Sequence, residues 1–258
     1  NAVISTNGTG INTNNLYMIK AIIFAAGLGT RLKPLTNERP KALVEVCGQT
    51  LISRVINKLK TAGVTDIIIN VHHFADQLIP YLTQNDFGVN ISISDESRFL
   101  LDTGGGLKKA ASFFDDGKAF FAYNVDIQSD IDLKKMYLQH LESGALATLA
   151  VKNRKSMRFL LFDENMQLSG WENLSFKELR LINRKREELN AYAFSGIQII
   201  DPKLLNMFAE VGKFSIIDVY LRLADNEIIK AFVHNDDYWF DLGTMKQLQE
   251  AQEFLAKL

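Results

Sequence analysis

An α/β protein built on a mostly parallel sheet is what the order of the apolar segments predicts. Short β-branched runs alternate with stretches of helical periodicity from residue 18 to about residue 145, leaving room for a crossover helix between successive strands. Beyond residue 145 the runs become consecutively strand-like, which predicts a smaller β-rich part joined to the sheet.

Each element has its own signal. KAIIFA is short, apolar and followed by glycine, as a buried strand should be. QTLISRVINKLKTAG puts Leu51, Ile52, Val55, Ile56 and Leu59 on one face of a helix that Gly63 ends. DIIINVH is the next strand, FADQLIPYL a helix, VNISIS a strand and GGLKKAASFF a helix. KAFFAYNVD is again a strand, followed by the helix LKKMYLQHLES. ALATLAVK, RFLLFD, QLSGW and AYAFSGIQII then read as strands, with the charged SFKELRLINRKREELN as a solvated loop or hairpin before the last. Helical patterns near 203–209 and 215–224 lead to the strands EIIKAFVH and YWFDL and to a closing helix, MKQLQEAQEFLAKL. No repeat occurs, and no hexapeptide array that would build a β-helix.

Composition narrows the function classes. The chain has 258 residues, 47% hydrophobic and 23% charged, enough to bury a full core without disulfides or a structural metal. Residues 18–258 are expected to form a single domain, and the uncharged, Asn- and Thr-rich residues 1–17 a leader or linker without folded structure. Asn7-Gly8-Thr9 matches a glycosylation acceptor, read here as a chance match. A formal net charge of −1 argues against nucleic-acid or anionic-membrane partners, so any anion site must be local. The single cysteine, Cys47, excludes an internal disulfide framework and suits a cytoplasmic setting.

The stretch AAGLGTRLKP leaves the first strand through two glycines and then places cations. A glycine-rich turn at a strand end can aim backbone N–H groups at phosphate oxygens, and Arg31 adds a planar, permanently charged fork. No Gly-Lys-Ser/Thr follows, so the loop is not of the Walker type. Leu32 stands where a dinucleotide fingerprint needs its third glycine. RPKALV supplies Lys41 as a second, point-like cation behind the stiff Pro40. Asp126 and Asp241 both end strand-like runs, where two carboxylates can share one hard cation or act simply as turn residues. Adjacent His72 and His73 would face opposite sides of a strand, which makes a two-histidine metal site a poor reading.

AIIFAAGLGTRLKPLT followed by RPKALVEV resembles the nucleotide-binding signature of the sugar-1-phosphate nucleotidyltransferases, and the resemblance runs from about Met18 to the C-terminus. It implies a Rossmann-like α/β domain that condenses a nucleoside triphosphate with a sugar 1-phosphate and releases pyrophosphate. Arg31 and Lys41 fall on the family's phosphate-binding cations, and Ala25, Ala26, Gly27, Gly29 and Thr30 on its nucleotide loop. Asp126 and Asp241, the latter in the W-x-D-x-G-T stretch, fall on its magnesium aspartates. Gly104 and Gly105 in DESRFLLDTGGGLKKA fall on the segment that reads the base, although Thr103 followed by glycines is also an ordinary helix cap. Asn124, Ser195 and Gly196 fall on the sugar side. Two departures stand out: Val125 replaces the glycine usual before the first aspartate, and the Glu-Lys-Pro segment of many hexose enzymes has no counterpart. LSGWENL stands near its place, with Trp171 either stacking on a sugar or filling the core.

The compact chain looks closest to N-acetylmuramate-1-phosphate uridylyltransferases and single-domain mannose-1-phosphate guanylyltransferases, which favours UTP, Mg²⁺ and a monomer or small homo-oligomer. The alternatives are a cytidylyltransferase for phosphocholine, or a silent regulatory member of the family.

Overall fold

The computed structural model describes residues 18–258; the leader expected at 1–17 lies outside them. The strand β1 (Ile19–Phe24) is followed by the glycine loop and a small hairpin, β2 (Glu45–Val46) and β3 (Gln49–Thr50). The helix α1 (Leu51–Thr61) begins where the Thr50 side chain accepts a hydrogen bond from Ser53 N at 3.2 Å. Then come β4 (Val64–Val71), α2 (Ala75–Gln84), β5 (Asn90–Asp95), α3 (Asp102–Lys109), β6 (Phe120–Asn124), β7 (Ile127–Ser129) and α4 (Leu133–Ser143). The second half holds β8 (Ala147–Lys152), β9 (Arg158–Phe162), β10 (Leu168–Asn173), β11 (Glu178–Leu181) and β12 (Asn190–Ile200). It closes with α5 (Ile216–Leu223), β13 (Ile229–Val233), β14 (Trp239–Asp241) and α6 (Met245–Leu255).

A ten-stranded sheet runs in the order β11-β10-β9-β12-β6-β1-β4-β5, with β8 and β13 branching from β12. Its β6-β1-β4-β5 portion is parallel, as the alternating pattern predicts. The long β12 runs antiparallel to β6, β8 and β9 and joins that portion to the antiparallel β9-β10-β11 part. Successive residues of β1 face opposite sides, so Ala21 and Ile23 pack with Ile52, Val55 and Ile56 of α1 while Ile22 and Phe24 pack with Leu107, Val219 and Tyr220 of α3 and α5. Burying a side chain such as Ile52 or Phe120, both at 0% exposure, contributes about 1.5–3 kcal/mol.

Two local readings change and one alternative is decided. The charged stretch is the hairpin rather than the loop, because β11 pairs with β10 from Gly170–Leu181 to Asn173–Glu178. The pattern near 203–209 is a 3₁₀ turn, Pro202–Met207. The glycine-rich helix starts at Asp102, with Thr103 already inside it. Among the described residues, no helix is long and apolar enough to cross a membrane.

Candidate active site

The C-terminal ends of the parallel strands meet at one edge, where open α/β sheets bind ligands. β1 leads into the glycine loop, β4 ends in Asn70 and Val71, and β6 ends in Asn124, with Val125 and Asp126 in the turn that follows. Between them lies a cavity of about 280 Å³ whose wall includes Ala26, Gly27, Lys41, Asn124 and Asp126.

Within the loop the expected roles divide. Ala25 N and Ala26 N donate to Asn70 Oδ1 at 2.7 and 3.2 Å, so these two amides are taken by the protein itself. Gly27 is exposed, and a Cβ on it would meet nothing within 4 Å. Gly29 has φ +64 and lies so close to Thr36 and Lys41 that a Cβ would stand 3.0 and 3.2 Å from them; glycine lets the loop close against Lys41. Thr30 and Arg31 follow in an exposed 3₁₀ turn.

Lys41 is buried and its ammonium pairs with Asp126 Oδ2. β14 pairs with β7, placing Asp241 opposite Ile127, while Leu242 N donates to the Asp126 carbonyl at 2.8 Å. This ribbon brings the two aspartates together across 115 residues of chain (241 minus 126). Asp241 Oδ1 is buried and has no hydrogen-bond partner among the described residues. Burial, and next the Asp126 charge, push the Asp241 carboxyl above the usual carboxylate range, against the pull of Lys41 and Arg31. Val125, the departure from the family pattern, is buried at 5% exposure and forms part of the cavity wall.

Gly104 and Gly105 are placed differently from the expectation. Their N–H groups both donate to the Phe214 carbonyl, at 3.0 and 3.3 Å. A Cβ on Gly104 would stand 2.4 Å from the Phe214 ring, and one on Gly105 2.4 Å from the Gly212 carbonyl oxygen. These glycines therefore admit the protein's own 212–214 segment, whereas Leu100, Asp102, Thr103 and Lys213 line the cavity. Thr103 serves another helix: its Oγ1 accepts from Ile216 N, the first amide of α5, at 3.1 Å, beside the Ser215 N-cap. Gly105→Val is consequently expected to destabilise the fold by about 1–3 kcal/mol through overpacking, read as a lowered melting temperature. An unchanged melting temperature would mean that segment 212–214 does not sit on the helix.

On the expected sugar side, Asn124 lines the cavity, but Ser195 is fully buried, with Oγ 2.7 Å from His234 Nε2. Burial, then Lys152 and Arg154, lower the His234 pKa to about 4, so the ring is neutral near neutral pH. Gly196, at φ +75, packs under Asn124 and Ile127. His72 is a structural residue, its Nδ1 2.7 Å from the Glu96 carbonyl oxygen.

The motif reading overlooked Asn70 and Glu96. Glu96 Oε1 accepts from Asn70 Nδ2 at 2.9 Å and Oε2 from Leu101 N at 3.1 Å, so the pair ties the glycine loop to the start of α3. Both are buried at 2% exposure. A lone Asn inside the apolar run DIIINVH was the available signal.

Comparison with known proteins agrees with this layout. The nucleotidyl transferase family model matches residues 20–257. N-acetylmuramate α-1-phosphate uridylyltransferase of Caulobacter vibrioides is 31% identical over 249 residues, 92% of this chain and 97% of its own. Mannose-1-phosphate guanyltransferase 2 of Candida glabrata is 29% identical over 233 residues, 88% of this chain and 62% of the longer relative. Among solved structures, HddC from Yersinia pseudotuberculosis shares the fold with a TM-score of 0.73 at 24% identity, covering 92% of this chain and 100% of its own. A family match over nearly the whole described chain, on a sheet edge that gathers a glycine loop, two cations and two aspartates, places the protein in the nucleotidyl transferase family, among the sugar-1-phosphate nucleotidyltransferases.

Proposed function

We propose that the chain transfers a uridylyl group from UTP to a sugar 1-phosphate in a magnesium-dependent reaction. The observation that carries this reading is the convergence of Lys41, Asp126 and Asp241 beside the open face of Gly27. A phosphate oxygen of the acceptor attacks the α-phosphorus, the bond from that phosphorus to the bridging oxygen of the β-phosphate breaks, and pyrophosphate leaves. The attacking oxygen is already anionic, so the residues position and stabilise charge rather than remove a proton. Arg31 meets the triphosphate, and Lys41, once released from Asp126, the charge that develops at the α-phosphate.

A magnesium ion fits the donor set. The orphaned Asp241 oxygen beside a second carboxylate suits a hard cation. No group of three or more His, Cys, Asp or Glu side chains able to hold a metal occurs among the described residues, so phosphates and water would complete the shell. When bound, the ion supplies charge neutralisation at the phosphates.

UTP is favoured because the uridylyltransferase relative matches this chain nearly end to end. The expected preference for UTP over ATP is about tenfold or more in kcat/KM, or 1.4 kcal/mol. A pyrophosphate-release screen crossing the common nucleoside triphosphates with several sugar 1-phosphates and phosphocholine tests both substrates. Equal use of ATP and UTP would refute the base assignment, and turnover with phosphocholine alone the acceptor.

A further inference from the structure

A second cavity, of about 570 Å³, opens between β9, β10, β11 and α5. Its walls combine the aromatic rings of Phe159, Trp171, Phe176 and Phe194 with Arg154, Arg158 and Arg180. Arg180 is neutralised by Glu178 at 2.9 Å and Asp218 at 2.8 Å. Arg154 and Arg158 form no salt bridge among the described residues.

Arg154 is the wall residue of this cavity that reaches β14. Its guanidinium carbon lies 3.9 Å from the centroid of the Trp239 ring. Trp239 and Asp241 are two residues apart on β14 and so share one side of the ribbon. The indole is itself fixed, since Trp239 Nε1 donates to the Ser195 carbonyl at 2.9 Å. Arg154 Nη2 donates to the Phe194 carbonyl at 2.9 Å and Nη1 to the Lys155 carbonyl at 3.4 Å. Nε is buried with no partner among the described residues, a donor that native structures rarely waste.

We propose that Arg154, shelved on Trp239, receives the 1-phosphate of the acceptor and holds the sugar in the 570 Å³ cavity with its phosphate toward Asp126 and Asp241. This deepens the functional reading above and rests on it. Arginine suits the task because its fork matches phosphate geometry and stacking fixes the plane of the fork beforehand. Both acceptors carry the phosphate that Arg154 would hold, so discrimination falls to Arg158, whose unpaired charge in the cavity wall repels the quaternary ammonium of phosphocholine even though aromatic walls would welcome it. Ser195 then acts at a distance, as the residue that positions Trp239 rather than as a sugar ligand.

Steady-state kinetics of wild type, Arg154→Ala and Arg154→Lys decide the matter, with UTP as donor and glucose 1-phosphate, mannose 1-phosphate or N-acetylmuramic acid 1-phosphate as acceptor. Arg154→Ala should raise the acceptor KM by about 10–100-fold, the scale of a lost charge-assisted hydrogen bond. The UTP KM should stay within about twofold, and Arg154→Lys should recover part of the loss by restoring charge without the fork. If Arg154→Ala does not fold, Arg154→Lys decides alone by an acceptor-specific rise in KM. An unchanged acceptor KM, or an equal rise for UTP, overturns the inference while leaving the reaction standing. A folded wild type that releases no pyrophosphate with any donor–acceptor pair overturns the functional reading and the inference together.

Discussion

Arg31→Ala is expected to turn over about 10²–10³-fold more slowly than wild type, the cost of removing one preorganised charge-stabilising donor, while melting at the wild-type temperature. Arg31 is exposed in the turn Thr30–Leu32 and forms no salt bridge among the described residues, so the fold loses little with it. Its place over the site is set by what is missing opposite. A Cβ on Gly243 would stand 2.6 Å from Arg31 Nη2 and 2.7 Å from Asp241 Oδ1. The glycine of W-x-D-x-G-T thus lets a guanidinium from the first loop lie against the ribbon that carries the second aspartate. Gly243→Ala should reproduce part of the Arg31→Ala loss without touching a charge. Pyrophosphate release measured beside a melting curve checks both variants. Near-wild-type turnover in folded Arg31→Ala would remove the residue from the chemistry.

Local patterns told most of the fold. β1, α1 and the parallel β6-β1-β4-β5 portion follow from apolar periods of two and 3.6 residues, which each segment carries in itself. The site was legible where a motif lies within one segment: the glycine loop, Lys41, and each aspartate with its neighbours. Roles set by contacts remote in sequence were not. Thr103 looks like a helix cap for its own segment, yet its hydroxyl takes the first amide of α5, 113 residues away. Gly104 and Gly105 read as room for a ligand and prove to be room for Gly212 and Phe214. Ser195 sits in a recognisable strand, but its buried side chain faces His234 and its carbonyl holds Trp239. Arg154 belongs to no motif, and only the fold sets it on an indole 85 residues further on (239 minus 154).

Asp126→Asn and Asp241→Asn are each expected to cost about 10²-fold or more in magnesium-dependent turnover, and the double variant little beyond the worse single. Two groups that hold one ion fail as a unit, so their losses do not multiply. Their effects on stability should nevertheless be opposite. Asp126 faces the Lys41 ammonium, whose side chain is 10% exposed, and Asp126→Asn strands that charge, so the melting temperature should fall. Asp241 is held above its ordinary pKa, first by burial and then by Asp126. The folded state therefore keeps this proton more tightly than the unfolded chain, and ionising Asp241 costs stability as pH rises through the folded value. Asp241→Asn removes that cost, so in EDTA at neutral pH the variant should melt at or above the wild-type temperature. Added Mg²⁺ should then raise the melting temperature of wild type by binding only the folded state, and leave Asp241→Asn unmoved. Multiplying losses in the double variant, or equal magnesium stabilisation of wild type and Asp241→Asn, would show that the two carboxylates do not share an ion.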